Sequence, residues 1–252
     1  MVNLWDYVVM ACTNGKGVRK RLTPEISVFL HPNAWRKSYY PFAMGGACHS
    51  EFSAFVSTFR SSMVLIDIGA NFGVFCAAAL NFSDSRAVAI DPAPGSIAML
   101  KTLQHLNQWP AARFDCHQIG LGSNRGCVYM DSIDPDFLKV VHQEHPFARK
   151  VETMSLDEFV LEFGLAPTHI KIDVEGFEDE VLRGAAKTIR KWFPVIHLEI
   201  HDSFLRSEGK SSEEIVSTMR ELSYTLEWSE EETMPTGEKL VTRTLWKPAF
   251  VS

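Results

Sequence analysis

The chain has 252 residues, 46% of them hydrophobic, enough for one domain of ordinary size with a substantial core. A net charge of −6, with no basic run, argues against a nucleic-acid partner. Five cysteines at positions 12, 48, 76, 116 and 127 form no CxxC pair, which fits a reducing cytosol and argues against a disulfide framework or a zinc site.

In chain order, Trp5 to Ala11 is apolar but interrupted by Asp6. It is too short to cross a bilayer and lacks the basic start of a signal peptide, so the chain reads as soluble and cytoplasmic, with no membrane partner. Ile26 to Leu30 reads as a strand. Trp35, Tyr39, Tyr40 and Phe42 suggest an aromatic-rich loop that either covers a substrate or, as is commoner, joins the core. Ser50 is expected to open a helix with Phe52, Phe55, Val56 and Phe59 on its inner face. Residues 1–60 thus form an N-terminal extension that could act as a lid on a domain covering 61–252.

Met63-Val-Leu-Ile-Asp-Ile68 reads as a buried parallel strand, and Val74 to Leu80 as a helix apolar on all sides. Between them lies Asp67-x-Gly69-x-Asn71-x-Gly73. This is not the dinucleotide fingerprint, which would need glycine at 71 and 74. A carboxylate just before the turn would repel a pyrophosphate, but it suits a ligand with a cationic end, such as the amino-acid part of S-adenosylmethionine (SAM). Ala87 to Ile90 is a second strand ending on Asp91, placed to accept both ribose hydroxyls of a nucleoside.

Pro94 starts the next helix, which stops near Asn107 to Pro110. Phe114 to Ile119 reads as a third strand running to Gly120-Leu-Gly122, with Gln118 the polar residue placed near an adenine edge. Cys127 to Met130 is a short strand, and 131–150 is polar without periodicity; His142 and His145 there read as surface residues. Ser155-Leu-Asp-Glu158 matches a capping box. His169 to Asp173 is a strand ending on carboxylates, Gly176 turns the chain, and Phe177, Val181, Leu182 and Ala185 face inward from the helix that follows. Glu175, just before Gly176, reads as a helix-start carboxylate with a structural role. Val195 to His201 is a fifth strand with His197, Glu199 and His201 on one side. Ser211 to Glu214 is a second capping box, and Tyr224 to Trp228 with Leu240 to Trp246 make a closing antiparallel pair. Asp67, Asp91, Asp173 and Glu199 all fall near strand ends, where ligands of open α/β sheets bind.

Four blocks carry a resemblance: Asp67-Ile-Gly-Ala-Asn-Phe-Gly73, Asp91-Pro92, Lys171-Ile-Asp-Val-Glu-Gly176 with Val181-Leu-Arg-Gly-Ala185, and Leu198-Glu-Ile-His201. In this order and spacing, over roughly residues 60–205, the chain resembles the FkbM-type family of SAM-dependent methyltransferases. The resemblance implies a single α/β domain of the Rossmann-like class I methyltransferase fold: a mostly parallel seven-stranded sheet, helices on both faces and an antiparallel C-terminal strand. It implies SAM as cofactor, for which Asp67, Gly69, Asn71, Gly73, Asp91 and Gln118 are the residues placed by the strand ends and turns read above, and a hydroxyl-bearing small-molecule acceptor such as a sugar, polyketide or other secondary metabolite.

The expected chemistry is alignment of acceptor oxygen, methyl and sulfur, with a base to remove the hydroxyl proton. Asp173, Glu199 and His201 are the candidate catalytic residues, His201 as base and Glu199 as the carboxylate orienting it. No spacing is a dedicated metal motif, so no metal is assigned; a divalent cation held by Asp173, Glu199 and His201, or a purely structural Glu199–His201 pair, are the alternatives. A short-chain dehydrogenase is set aside because no tyrosine has lysine four residues on. A non-catalytic module that binds SAM or a nucleoside is the rival from another class.

Overall fold

The structure, a computed structural model, describes residues 4–131, 139–141 and 145–249. The N-terminal segment comprises α1 (Leu4–Cys12), the antiparallel hairpin β1 (Val18–Arg21) and β2 (Ser27–Leu30), and α2 (Pro32–Ala34). From α2 a π-helical stretch at Trp35–Tyr39 runs into α3 (Tyr40–Met44), and α4 (Ala47–Val56) follows.

The expected aromatic loop is therefore helical: packing overrides weak local propensity, with Tyr39 fully buried and its hydroxyl donating to the Phe72 carbonyl at 2.9 Å. The helix expected to open at Ser50 instead opens after Gly46, and the Ser50 hydroxyl bonds backwards to the Gly46 carbonyl. Phe52 and Phe55 on it, and Phe59 just beyond, are buried as the spacing predicts.

The domain then runs β3 (Val64–Ile68), α5 (Val74–Ala79), β4 (Arg86–Ile90), α6 (Pro94–Leu106), β5 (Phe114–His117), β6 (Gly120–Gly122), β7 (Gly126–Asp131), β8 (Lys139–Val141) and β9 (Ala148–Ser155). After these come α7 (Leu156–Glu162), β10 (His169–Ile172), α8 (Glu178–Trp192), β11 (Val195–Ile200), α9 (Asp202–Ser207), α10 (Ser212–Glu221), β12 (Tyr224–Thr233) and β13 (Lys239–Pro248). The main sheet has seven strands in the order β12-β13-β11-β10-β3-β4-β5, parallel from β11 to β5, with β13 and β12 antiparallel. This is the expected architecture.

The third strand differs from the expectation. β5 ends at His117, and Gly120–Gly122 leaves the main sheet to pair with β9 in a separate sheet ordered β6-β9-β7-β8. Part of the polar stretch 131–150 is thus strand; His142 lies outside the described residues, and His145 Nδ1 accepts the Phe147 amide in a turn. The Ser155–Glu158 capping box forms in full, whereas Ser211 caps α10 without a side-chain hydrogen bond. Among the described residues no helix is long and apolar enough to cross a membrane.

Alternation along the strands sends Ile66, Ile68, Val88, Ile90, Ile170, Ile172, Ile196 and Leu198 to one face, packed under α7, α8 and α10. The other face is covered by α4, α5 and α6, with Phe52, Phe55 and Phe75 over Leu65, Ala87 and Ala89. Toward β10, β11 and β13 this second face turns polar: Asp67 pairs in register with Lys171, Lys171 with His197, and Glu199 with Arg243. A row of charges therefore lies under α4, and it ends at the carboxyl tips of the strands.

Candidate active site

The β3–α5 turn, the tip of β4, the β5–β6 connection and the turn after β10 border an open cleft, about 730 Å³ with the solvent space at its mouth counted in. The strands place it where an open α/β sheet receives ligands, beyond their carboxyl ends. Gly69 is required there by contact as well as conformation. Its φ is +75°, and a Cβ would sit 1.7 Å from the Asp173 carbonyl oxygen. The β3 and β10 turns can touch only because this residue has no side chain.

Of the residues expected to bind cofactor, Gly69, Asn71 and Asp91 line the cleft. Asn71 sits in the left-handed region at φ 47°, as the turn demands, and its buried Oδ1 has no hydrogen-bond partner. Asp91 is 7% exposed and accepts the Asn71 and Ala93 amides at 2.8 Å each, which leaves a lone pair on each oxygen. Burial outweighs these bonds and pushes its carboxyl up to about 6.

Gly73 is the residue before α5, with φ 77°, and packs on α6 rather than on the cleft. Asp67 is 1% exposed and lies beneath the cleft floor, 3.9 Å from Lys171 Nζ and accepting from the Cys76 thiol at 3.2 Å. Gln118 is exposed and does not line the cleft; its neighbours Ile119 and Gly120 do. Phe177, expected to face inward from the helix, stands just before α8 and forms part of the cleft wall. Apolar walls at Ile119, Leu121 and Phe177, the carboxylate of Asp91 and the unpartnered Asn71 oxygen suit a nucleoside with polar ends.

The candidate catalytic residues do not assemble as the sequence suggests. Asp173 and His201 do meet, His201 Nε2 lying 3.8 Å from Asp173 Oδ1. Glu199 does not join them: it pairs with Arg243 at 3.1 Å, one register step inside the sheet, while His201 caps α9 past the strand end. Its place is taken by two other carboxylates. Glu178 Oε1 bonds His201 Nδ1 at 2.8 Å and accepts the Gly176 amide at 2.9 Å, and Glu175 Oε2 stands 3.3 Å from Nε2. The capping of the Gly176 turn expected of Glu175 is thus performed by Glu178. Glu178 was concealed in the sequence as one more acid among Glu178, Asp179 and Glu180 at a helix start, where acids are common for dipole reasons alone. The spacing Gly176 to Glu178 is the one signal for it, since it places a carboxylate back onto the turn amide.

Electrostatically the cluster is tightly coupled. Burial opposes charge on His201, but the Glu178 bond and the neighbouring Asp173 and Glu175 carboxylates dominate and raise it to about 10. Burial also opposes charge on Asp173; Lys171, 2.9 Å away, and His201 together outweigh it and hold the carboxyl below its ordinary range. Behind them Lys171 and Arg243 are 4% and 6% exposed, and Glu51 from α4, 1% exposed, lies 3.2 Å from Arg243. Burial pushes Glu51 well up and Glu199 up to about 7, with Asp173 adding to the latter. Burial also presses the stacked His197 down to about 3.

A family model described as the methyltransferase FkbM domain matches residues 67–226, more than half of the chain. No curated protein matches. Among solved structures, the chain resembles a methyltransferase FkbM from Methylobacillus flagellatus KT, at 20% identity and a TM-score of 0.51, over 74% of this chain and 44% of that one. The chain thus spans less than half the length of that relative. Trm5b from Pyrococcus abyssi is 13% identical with a TM-score of 0.52, over 92% and 56% of the two chains. An rRNA methylase from Streptococcus thermophilus is 9% identical with a TM-score of 0.50, over 81% and 98%. At these identities the likenesses establish the class I methyltransferase fold, whose cofactor is SAM, and the cleft residues fit that molecule. With the seven-stranded order, the carboxylate-tipped strands and the match over 67–226, the chain belongs to the FkbM family of methyltransferases.

Proposed function

We propose that this chain transfers the methyl group of SAM to a hydroxyl oxygen of a small molecule, such as a sugar, a polyketide or another secondary metabolite. The observation that carries this reading is that Asp91 and the pair Asp173 and Glu175, with His201 behind them, share the walls of one cleft. One end suits a nucleoside and the other handles protons. When bound, SAM supplies an activated methyl on a sulfonium, a leaving group that needs no acid.

The protein's work is to hold and align. Asp91 accepts hydroxyl donors, the apolar walls exclude water, and the Asp173–Glu175–His201 cluster receives the acceptor hydroxyl and assists loss of its proton as the new oxygen–carbon bond replaces the carbon–sulfur bond. The acidic balance of the chain, −6, supports a small acceptor over RNA, although one of the similar folds is an rRNA methylase by name.

The test is formation of S-adenosylhomocysteine with a panel of hydroxyl-bearing small molecules, run beside an RNA arm. Turnover of a small acceptor is expected, with His201→Ala keeping SAM affinity while losing roughly 10²–10⁴-fold in turnover. Methylation confined to RNA, or no binding of SAM, overturns the reading.

A further inference from the structure

Asp173 and Glu175 come from the turn after β10 and His201 from the tip of β11, and one ligand-capable atom of each lies within 4.8 Å of the other two. Among the described residues no other group of three acidic, histidine or cysteine side chains does this. The arrangement is directional. Lys171 Nζ holds Asp173 Oδ2 at 2.9 Å, which leaves Oδ1 to face His201. Glu178, itself fully buried, accepts from His201 Nδ1 and so turns Nε2 toward Asp173 and Glu175.

That nitrogen belongs to a side chain 6% exposed and lies between the two carboxylates, in ion-pair range of both. A ring nitrogen fixed by a carboxylate on its far side is the arrangement that orients histidines onto metals. The two carboxylates carry two negative charges, and a divalent ion between them takes the place of the proton on Nε2, so that its binding releases one proton. Both line the cleft, so coordination positions remain open on that side.

We propose that Asp173, Glu175 and His201 form a site for one divalent cation of the magnesium or manganese type, oriented by Glu178 and opening into the cleft. Oxygen-rich ligands with a single imidazole favour these ions over softer ones. The role of the ion rests on the O-methylation reading: an acceptor hydroxyl bound to it releases its proton to solvent water more readily, and the oxygen is held in place for transfer. No ligand spacing announces such a site in the sequence, because its residues come from two strand tips with a helix between them.

The full chain, freed of metal with a chelator and supplied with neither SAM nor acceptor, is titrated with Mn²⁺ and followed by electron paramagnetic resonance. One bound ion per chain is expected, with a nitrogen coupling in the pulsed spectrum from His201. Glu175→Gln and His201→Gln should lose binding, and Glu178→Gln should weaken it about 10–100-fold through misorientation of the ring. Asp115→Asn, at the half-exposed Asp115–His117 pair, should bind as the parent does. Circular dichroism checks the fold of each variant, and the nitrogen coupling in the parent decides the matter if a variant does not fold. No binding at millimolar Mn²⁺, bound Mn²⁺ without nitrogen coupling, or undiminished binding in both folded ligand variants overturns the proposal. Calorimetry with SAM on the same preparations separates the two readings. Acceptor methylation without bound metal ends the ion's role and leaves the proposed function standing; Mn²⁺ binding without turnover does the reverse.

Discussion

Replacing Asp91 with Asn separates what the buried carboxylate costs the fold from what it contributes to cofactor binding. Burial raises its carboxyl from 3.8 to about 6. The folded state then holds this proton more tightly than the unfolded chain does. The associated stability is complete below the unfolded value and is lost as pH rises through about 6. The gap corresponds to about 3 kcal/mol in all, of which about 1.5 kcal/mol falls between pH 5 and pH 7.5. Asn carries no such charge but satisfies only one of the two amides that Asp91 accepts, a fixed loss of about 1–3 kcal/mol. The stability difference between variant and parent, measured by urea unfolding, should therefore move in the variant's favour by about 1.5 kcal/mol across that range. SAM affinity should go the other way. Loss of charge-assisted bonds to the ribose weakens it by ~1–3 kcal/mol at pH 7.5 by calorimetry, and the parent's own affinity should decline below pH 6. Equal SAM affinity in the two proteins, or a stability difference flat with pH, refutes the reasoning.

Gly184 lies inside α8, where alanine would favour the helix by about 1 kcal/mol, but its Cβ would stand 2.0 Å from the Gly122 carbonyl oxygen. Gly184→Ala should therefore lower the urea midpoint, by about 1–3 kcal/mol of stability; a stabilised variant contradicts the packing of α8 on β6. Tyr39→Phe removes the donor to the buried Phe72 carbonyl and should cost about 1 kcal/mol in the same assay, an unchanged midpoint counting against that contact. Glu175→Gln should lower turnover by about 10² or more while the melting temperature stays near the parent's. A lowered melting temperature with activity intact would return Glu175 to a structural role.

Features set by short-range pattern were legible before the fold was known. The apolar run into Asp67, the glycine turn and the all-apolar α5 each need only a dozen residues to declare themselves, and so does the Ser155–Glu158 box. What depended on partners far along the chain was not. β6 and β9 pair across more than twenty residues of weak pattern, so Gly120–Gly122 looked like a continuation of β5. Glu199 and His201 share a side by alternation, yet the strand ends at Ile200, and the chain turns His201 away toward Glu178. The aromatic residues 35–42 lack a helical period of their own and become helical only because Tyr39 has a buried position to fill.

The ion pair between Glu51 and Arg243 sets a timetable for synthesis. α4 leaves the ribosome early, carrying Phe52, Phe55 and a carboxylate that ends 1% exposed, whereas Arg243 lies on the last strand. At about 5–20 residues per second, roughly ten to forty seconds separate the two. Throughout that interval the helix can settle on β3 and β4 but lacks the guanidinium that pairs with its carboxylate. An element made well before β13 is thus among the last to be locked, and nascent chains stalled short of residue 243 should leave α4 less protected against hydrogen exchange than the finished fold does, the difference closing only once β13 is free of the tunnel.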